Sequence, residues 1–352
     1  MITLIFCGDL RYCPYLKRYT ERLEKANVDY EVLFWNRAGL SLDVPPNYHY
    51  YDRSSAESLG KIKKIKDFFG FKVWVFKHLE ISKPHGLIML STLTGILLYE
   101  KTKKIPYVFD IRDYSYENIG VFKELEERII RLSSFTCISS KGFKAFLPEY
   151  PYIIAHNFNR SEIPEVREFK KKNYPLKIVW NGTVRFFEYQ KNYIDLFKND
   201  DRFLLIYHGT GLELEQYKAY CVSKQVKNVI FTGAYDNSNK KKLLIDAAIL
   251  NNCYGGRSGD ELKYAISNRF YDGIVNCIPQ IVEPSGYKAS VSENNHIGIA
   301  LGPTQDAPDR LFTYYDAIDE NEFVYSCSKL LTEIIEEDDL YIAEIDKFIR
   351  NI

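Results

Sequence analysis

Short, almost wholly apolar runs recur at 2–7, 30–35, 87–90, 107–111, 135–138 and 152–155, and amphipathic stretches separate several of them. In 14–27 the residues Leu16, Tyr19, Leu23 and Ala26 share one face, the spacing of a helix that buries one side. Apolar runs alternating with helical patterns predict a parallel sheet with helices on both sides. A charged stretch interrupts this rhythm, which restarts with 178–180, 203–207, 229–232, 248–251, 280–282 and 297–301. The expectation is an α/β protein of two Rossmann-like, doubly wound parallel-sheet domains facing a cleft. They span 1–160 and 176–337, with a linker at 161–175. Near the end, Ile342, Ile345, Phe348 and Ile349 form one apolar stripe, so a helix over 338–352 is expected to rejoin the first domain and close the fold.

The stretch 264–286 carries the most chemistry. Ser267 is a good N-cap before the periodic Phe270, Ile274 and Val275, which predicts a helix from about Asn268 that ends before Pro279. A buried strand at 280–282 follows. Asn268 and Asp272, four apart, share a face of that helix. One reading is a helix N-terminus that receives a nucleotide diphosphate, with Asn268 near the phosphates and Asp272 accepting from sugar hydroxyls. The other is an ordinary amphipathic helix capped by Ser267 and Asn268.

The chain has 352 residues, long for one core, and its 47 Lys plus Arg balance 47 Asp plus Glu, so no global field points to nucleic acid. Seven scattered cysteines without CxxC pairing predict a reducing compartment. The N-terminus lacks the pattern of a signal peptide and no apolar run reaches membrane-spanning length, so a cytoplasmic protein is expected. One local patch stands out. Between Gly60 and His78, six lysines interleave with Phe68, Phe69, Phe71, Trp74 and Phe76. Lys61 to Lys77 is thus either an interfacial surface for anionic lipid on the inner face of the cell membrane or a helix with core aromatics and a solvated lysine face. Such interleaving also suits single-stranded nucleic acid, which the neutral balance disfavours.

Three further positions lie at predicted strand ends. Gly8, after the first strand, lets a ligand approach the backbone or simply makes a tight turn, and no G-x-G-x-x-G follows to support a dinucleotide-binding dehydrogenase. Arg112 and Asp113 close the strand at 107–111, as acceptor-site candidates or as an internal Arg–Asp pair capping the next helix.

In order, the second half holds Asn181-Gly-Thr-Val-Arg185, Lys191, Tyr207-His-Gly-Thr-Gly211, Phe231-Thr-Gly-Ala-Tyr235 and the stretch from Ser267 to Pro279. This order and spacing resemble the nucleotide-sugar domain of GT-B glycosyltransferases, most closely the retaining group 1 (family four) enzymes of bacterial capsular and O-antigen polysaccharide synthesis. The resemblance implies that Arg185 and Lys191 grip the donor diphosphate, with Gly182 letting the backbone turn toward it. Gly209, Gly211 and Gly233 would frame base and ribose, or are turn glycines without ligand contact, and Tyr235, Asn268, Arg269 and Asp272 would complete the donor site. Asp272 matches the second acid of the family's Glu-x7-Glu pair. Tyr264 stands where the first acid belongs, so that acid is missing or displaced to Glu261 or Asp260, and the loop Tyr254-Gly-Gly-Arg257 offers contacts instead.

Catalytic roles would then fall to Arg185, Lys191, Asp113 and Asp272, with Arg112 and Asp113 orienting the acceptor. The resemblance implies a nucleotide-diphosphate sugar as donor, a lipid-linked or other oligosaccharide as acceptor, and the leaving phosphate as the group that helps deprotonate it. No DxD triplet or HExxH pair is present, so neither a metal nor another cofactor is expected. Three rivals stay open: a nucleotide-sugar 2-epimerase of the same fold, a non-catalytic nucleotide-sugar-binding subunit, and a periplasmic-type solute-binding protein. The last is disfavoured by the missing signal peptide and the free cysteines.

Overall fold

The computed structural model describes residues 1–55, 61–101, 103–113, 119–255 and 261–352, with the side chains at 61–64 and 261 left aside. The chain divides into two compact units, one of Met1–His156 with Glu336–Ile352 and one of Asn157–Ile335.

In unit 1 the strands are β1 (Ile2–Phe6), β2 (Tyr30–Asn36), β3 (Tyr48–Asp52), β4 (Gly86–Leu90), β5 (Tyr107–Ile111), β6 (Phe135–Ile138) and β7 (Ile153–Ile154). All pair in parallel, in the order β3-β2-β1-β4-β5-β6-β7. β1, β4, β5 and β6 are buried along their whole length, as strands covered on both faces must be, and their largely apolar runs follow from that. The helices are α1 (Leu16–Lys25), α2 (Lys61–Ser82), α3 (Thr92–Leu98) and α4 (Gly120–Leu132). α1 buries Leu16, Tyr19, Thr20 and Leu23.

Unit 2 holds β8 (Leu176–Asn181), β9 (Phe203–His208), β10 (Val229–Gly233), β11 (Ile249–Asn251), β12 (Gln280–Val282) and β13 (Gly298–Ala300), all parallel, in the order β10-β9-β8-β11-β12-β13. Its helices are α5 (Phe187–Phe197), α6 (Leu214–Ser223), α7 (Lys240–Leu244), α8 (Glu261–Tyr264), α9 (Asn268–Val275), α10 (Tyr287–Asn294) and α11 (Ala307–Asp316). The chain ends in the long α12 (Glu320–Arg350). Its Phe323, Cys327, Leu330, Leu331 and Ile334 lie in the core of unit 2, and its Tyr341, Ile345, Phe348 and Ile349 in that of unit 1. Within unit 1, ion pairs of Arg18 with Asp338, Arg22 with Asp346 and Lys141 with Glu337, and a hydrogen bond between His156 and Glu337, fasten its last turns.

The structure departs from the sequence reading in three places. β3 has no apolar run to announce it: it is Tyr-His-Tyr-Tyr-Asp, half-buried at a sheet edge. The C-terminal helix begins well before 338, because its apolar stripe serves the second core first. The stretch 161–175, read as a linker, lies within the second unit and packs on it. Arg167 donates to the carbonyls of Ile274 (2.6 Å) and Val275 (3.2 Å) and to Oγ of Ser328 (2.8 Å), and Phe169 is buried against Phe323. Among the described residues no helix is long and apolar enough to cross a membrane.

Candidate functional site

Unit 2 reverses its strand order between β8 and β11, and at such a switch point the loops leaving the carboxyl ends diverge and leave room for a ligand. α9 is anchored there. Arg269 donates from Nε (3.0 Å) and Nη2 (2.7 Å) to the carbonyl of Asn181, which ends β8, and from Nη1 (2.7 Å) to that of Asn251, which ends β11. Its buried guanidinium lies 3.7 Å from the centroid of the Trp180 ring. Burial, with a smaller contribution from the charge of Arg185, pulls it below the usual arginine range. Arg269, expected among donor contacts, thus ties the two central strand ends together.

A polar frame fixes the start of α9. Ser267 caps it by accepting from the Phe270 N–H at 3.3 Å and donates to Oδ1 of Asn252 at 3.1 Å. Asn252 in turn bonds Gln280, whose Nε2 donates to the carbonyl of Phe270 at 3.0 Å. Lys288, buried, donates to the carbonyl of Asn252 (2.8 Å) and pairs with Glu283 (3.0 Å). Asn268, exposed at the first helical position, accepts from the amide of Asn157. One turn on, buried Asp272 accepts from Nδ2 of Asn181 at 3.0 Å and pairs with Nζ of Lys240 at 2.8 Å. Tyr235 lies beside the same cluster, and burial raises its pKa.

The loops after β8, β9 and β10 are stitched through their backbones. Gly182 N–H donates to the His208 carbonyl (2.9 Å), Val184 N–H to that of Thr210 (2.9 Å) and Gly209 N–H to that of Gly233 (2.8 Å). A Cβ on Gly209 would stand 1.9 Å from the carbonyl oxygen of Gly182, and one on Gly211 2.1 Å from that of Val184. Both glycines are therefore required by the approach of two loops, whatever binds beside them. His208 bonds Oγ1 of Thr232 at 2.8 Å through Nδ1, and burial lowers its pKa.

Arg185 is exposed in this frame. Its guanidinium lies 4.6 Å from the Phe186 ring centroid and 5.9 Å from that of Tyr254, and among the described residues no carboxylate pairs with it. Phe186 follows at φ 66°, a left-handed conformation that a bulky residue holds only under constraint. Lys191, one helical turn into α5, pairs with Glu188 at 2.6 Å. Of the proposed replacements for the first acid, Arg257, Asp260 and the Glu261 side chain lie outside the described residues.

In unit 1, Arg112 has internal partners. It donates from Nη2 to Oδ2 of Asp110 (2.8 Å) and from Nη1 to the carbonyl of Ala155 (2.8 Å), and it stacks 4.2 Å from the Tyr15 ring centroid. Tyr19 donates to the same Asp110 oxygen at 2.8 Å. The internal Arg–Asp pair exists, with Asp110 and not Asp113 as the acid, and it leaves Arg112 buried. Asp113 stands exposed just beyond β5. Gly8 is buried after β1, and its carbonyl accepts from the Trp35 N–H at 3.2 Å. Lys240, Lys288 and Gln280 were not legible as site residues. Lys240 opens a run of three lysines that reads as a solvated face, and the others carry no spacing signal.

The sequence matches no protein-family profile and no curated protein. The structure does find likenesses. The apo form of WaaB, a lipopolysaccharide outer core galactosyltransferase, is 14% identical with a TM-score of 0.64, over 99% of both chains. HepE of Anabaena, solved with UDP, is 11% identical with a TM-score of 0.66, over 99% of this chain and 98% of its own. The UDP-GlcNAc 2-epimerase of Neisseria meningitidis, bound to UDP-GlcNAc, is 12% identical with a TM-score of 0.54, over 96% of this chain and 100% of its own. Two all-parallel sheets of seven and six strands, each wound with helices, and a long C-terminal helix give this chain the GT-B fold of the glycosyltransferases.

Proposed function

We propose that the protein is a glycosyltransferase that moves a sugar from a nucleotide-diphosphate donor, bound by unit 2, to a lipid-linked or other oligosaccharide acceptor engaged by unit 1, in bacterial surface polysaccharide synthesis. One observation carries the reading: at the β8/β11 switch point an exposed Arg185, without a carboxylate partner among the described residues, accompanies the start of α9, which Arg269 holds against both strand ends. A diphosphate gains charge as its bond to the sugar breaks. Arg185, Lys191 and the partial positive charge of the α9 N-terminus would stabilise that charge without a metal ion. Lys191 would exchange Glu188 for the phosphate, and Asp272 would accept from hydroxyls of the bound nucleotide sugar. Asp113 would orient the acceptor, whose proton passes to the leaving phosphate, with retention at the anomeric carbon.

The test is a turnover assay by NMR with UDP-glucose, UDP-galactose, UDP-GlcNAc and GDP-mannose, with and without a lipid-linked oligosaccharide mixture, in the presence of a chelator. A transferase releases nucleoside diphosphate in an acceptor-dependent way that the chelator does not suppress. The epimerase reading, favoured by the fold shared with the Neisseria enzyme, predicts isomerised donor with no acceptor present. Binding of a donor with neither outcome would mark a non-catalytic subunit and overturn the proposal.

A further inference from the structure

Asp272 has partners of its own before any ligand arrives. Its Oδ1 lies 2.8 Å from Nζ of Lys240 and its Oδ2 accepts from Asn181 at 3.0 Å, with the carboxylate buried. Lys240 comes from α7, after β10, and its ammonium also pairs with Glu162, which precedes β8. Although burial opposes the charge, Asp272 and Glu162 together hold this ammonium above the ordinary lysine range. Beside it Oδ1 of Asn181, in a residue 6% exposed, has no hydrogen-bond partner. A buried acceptor left empty in an otherwise satisfied cluster marks a place for a ligand's donor group.

We infer that Lys240 is a positioning residue that lets Asp272 serve a ligand carrying phosphates: its ammonium neutralises the buried carboxylate, so Asp272 and Oδ1 of Asn181 accept hydroxyls of the donor without repelling its diphosphate. This rests on the reading of unit 2 as the donor site. The physical need is plain. An uncompensated carboxylate on the helix that receives a diphosphate would act on it through a medium that screens far less than water. The rival role for Lys240 is mechanical, a tether holding the segment of Glu162 to α7, and it makes a different prediction.

The experiment is titration calorimetry of the intact protein with the tightest of UDP, GDP, dTDP and ADP, and with the corresponding nucleoside. Lys240→Met weakens the diphosphate on the order of tenfold and the nucleoside by less than about threefold. Lys240→Arg restores both. Glu162→Gln leaves both near the unmodified protein, since the cation then belongs to Asp272 alone. The double variant Lys240→Met/Asp272→Asn, which removes both charges together, regains most of the diphosphate affinity lost in Lys240→Met. Equal loss for nucleoside and diphosphate, an effect of Glu162→Gln as large as that of Lys240→Met, or no recovery in the double variant makes Lys240 a tether and overturns the inference. Should Lys240→Met fail to fold, Lys240→Gln replaces it in each of these comparisons, alone and with Asp272→Asn. If the unmodified protein binds none of the four, the donor site itself falls, and this inference with it.

Discussion

Arg185 and Arg269 both belong to the loops and helix around the switch point, and their surroundings give them opposite roles. Arg269 has its N–H groups on the carbonyls of Asn181 and Asn251 and its face on Trp180; Arg185 is exposed beside two aromatic rings. Replacing Arg269 by Met would strand two buried carbonyls at the ends of β8 and β11, each left unsatisfied at about 1–3 kcal/mol. The midpoint of urea unfolding should fall accordingly, with nucleotide binding lost only as a consequence. A variant as stable as the parent would show that water replaces those bonds at no cost and that Arg269 is not a tie. The sequence could not separate the two arginines, because the distinction lies in which carbonyls the fold brings within reach. Arg112 teaches the same lesson. Its place at a strand end was readable, whereas its partner Asp110, on the same strand and likewise buried, was not.

Elements with one dominant physical cause were readable, and those with several were not. Strands buried on both faces appear as apolar runs, and α9 announces itself through Ser267, the periodic Phe270 and Ile274, and Pro279. β3 and the full length of α12 stayed hidden: one is a half-buried edge strand, and the other serves two cores in turn. α2 left two readings open; its buried face is that of a helix with core aromatics, and its exposed face leaves the lipid reading to experiment. Phe71, Val75 and Leu79 are buried, with Phe71 stacked on Trp35, while Ile65 and Phe69 are 67% and 62% exposed and run on to Val73 with exposed Lys66 and Lys77 alongside. An apolar stripe with flanking lysines suits the surface of an anionic bilayer. We expect the protein to sediment with vesicles containing phosphatidylglycerol but not with pure phosphatidylcholine, and Phe69→Ser with Lys66→Gln and Lys77→Gln to abolish it. Sedimentation unchanged in that triple variant would remove α2 as the site where a lipid-linked acceptor is met.

Each unit carries its own core and its own doubly wound sheet, and α12 contributes a different apolar segment to each. The chemistry is unevenly divided. Unit 1 spends its buried charges internally, on Asp110 with Arg112 and on the pairs that bind α12. Unit 2 gathers Arg185, the start of α9, Asp272 and Lys240 around the β8/β11 switch point. A nucleotide site in unit 2 is what the proposed activity stands on, and calorimetric titration with UDP, GDP, dTDP and ADP tests it in the intact protein and in Arg185→Ala. Binding of one of these diphosphates by the parent, weakened about tenfold or more in a variant whose unliganded melting temperature is unchanged, is the predicted result. Binding of none, or equal affinity in parent and variant, would contradict it.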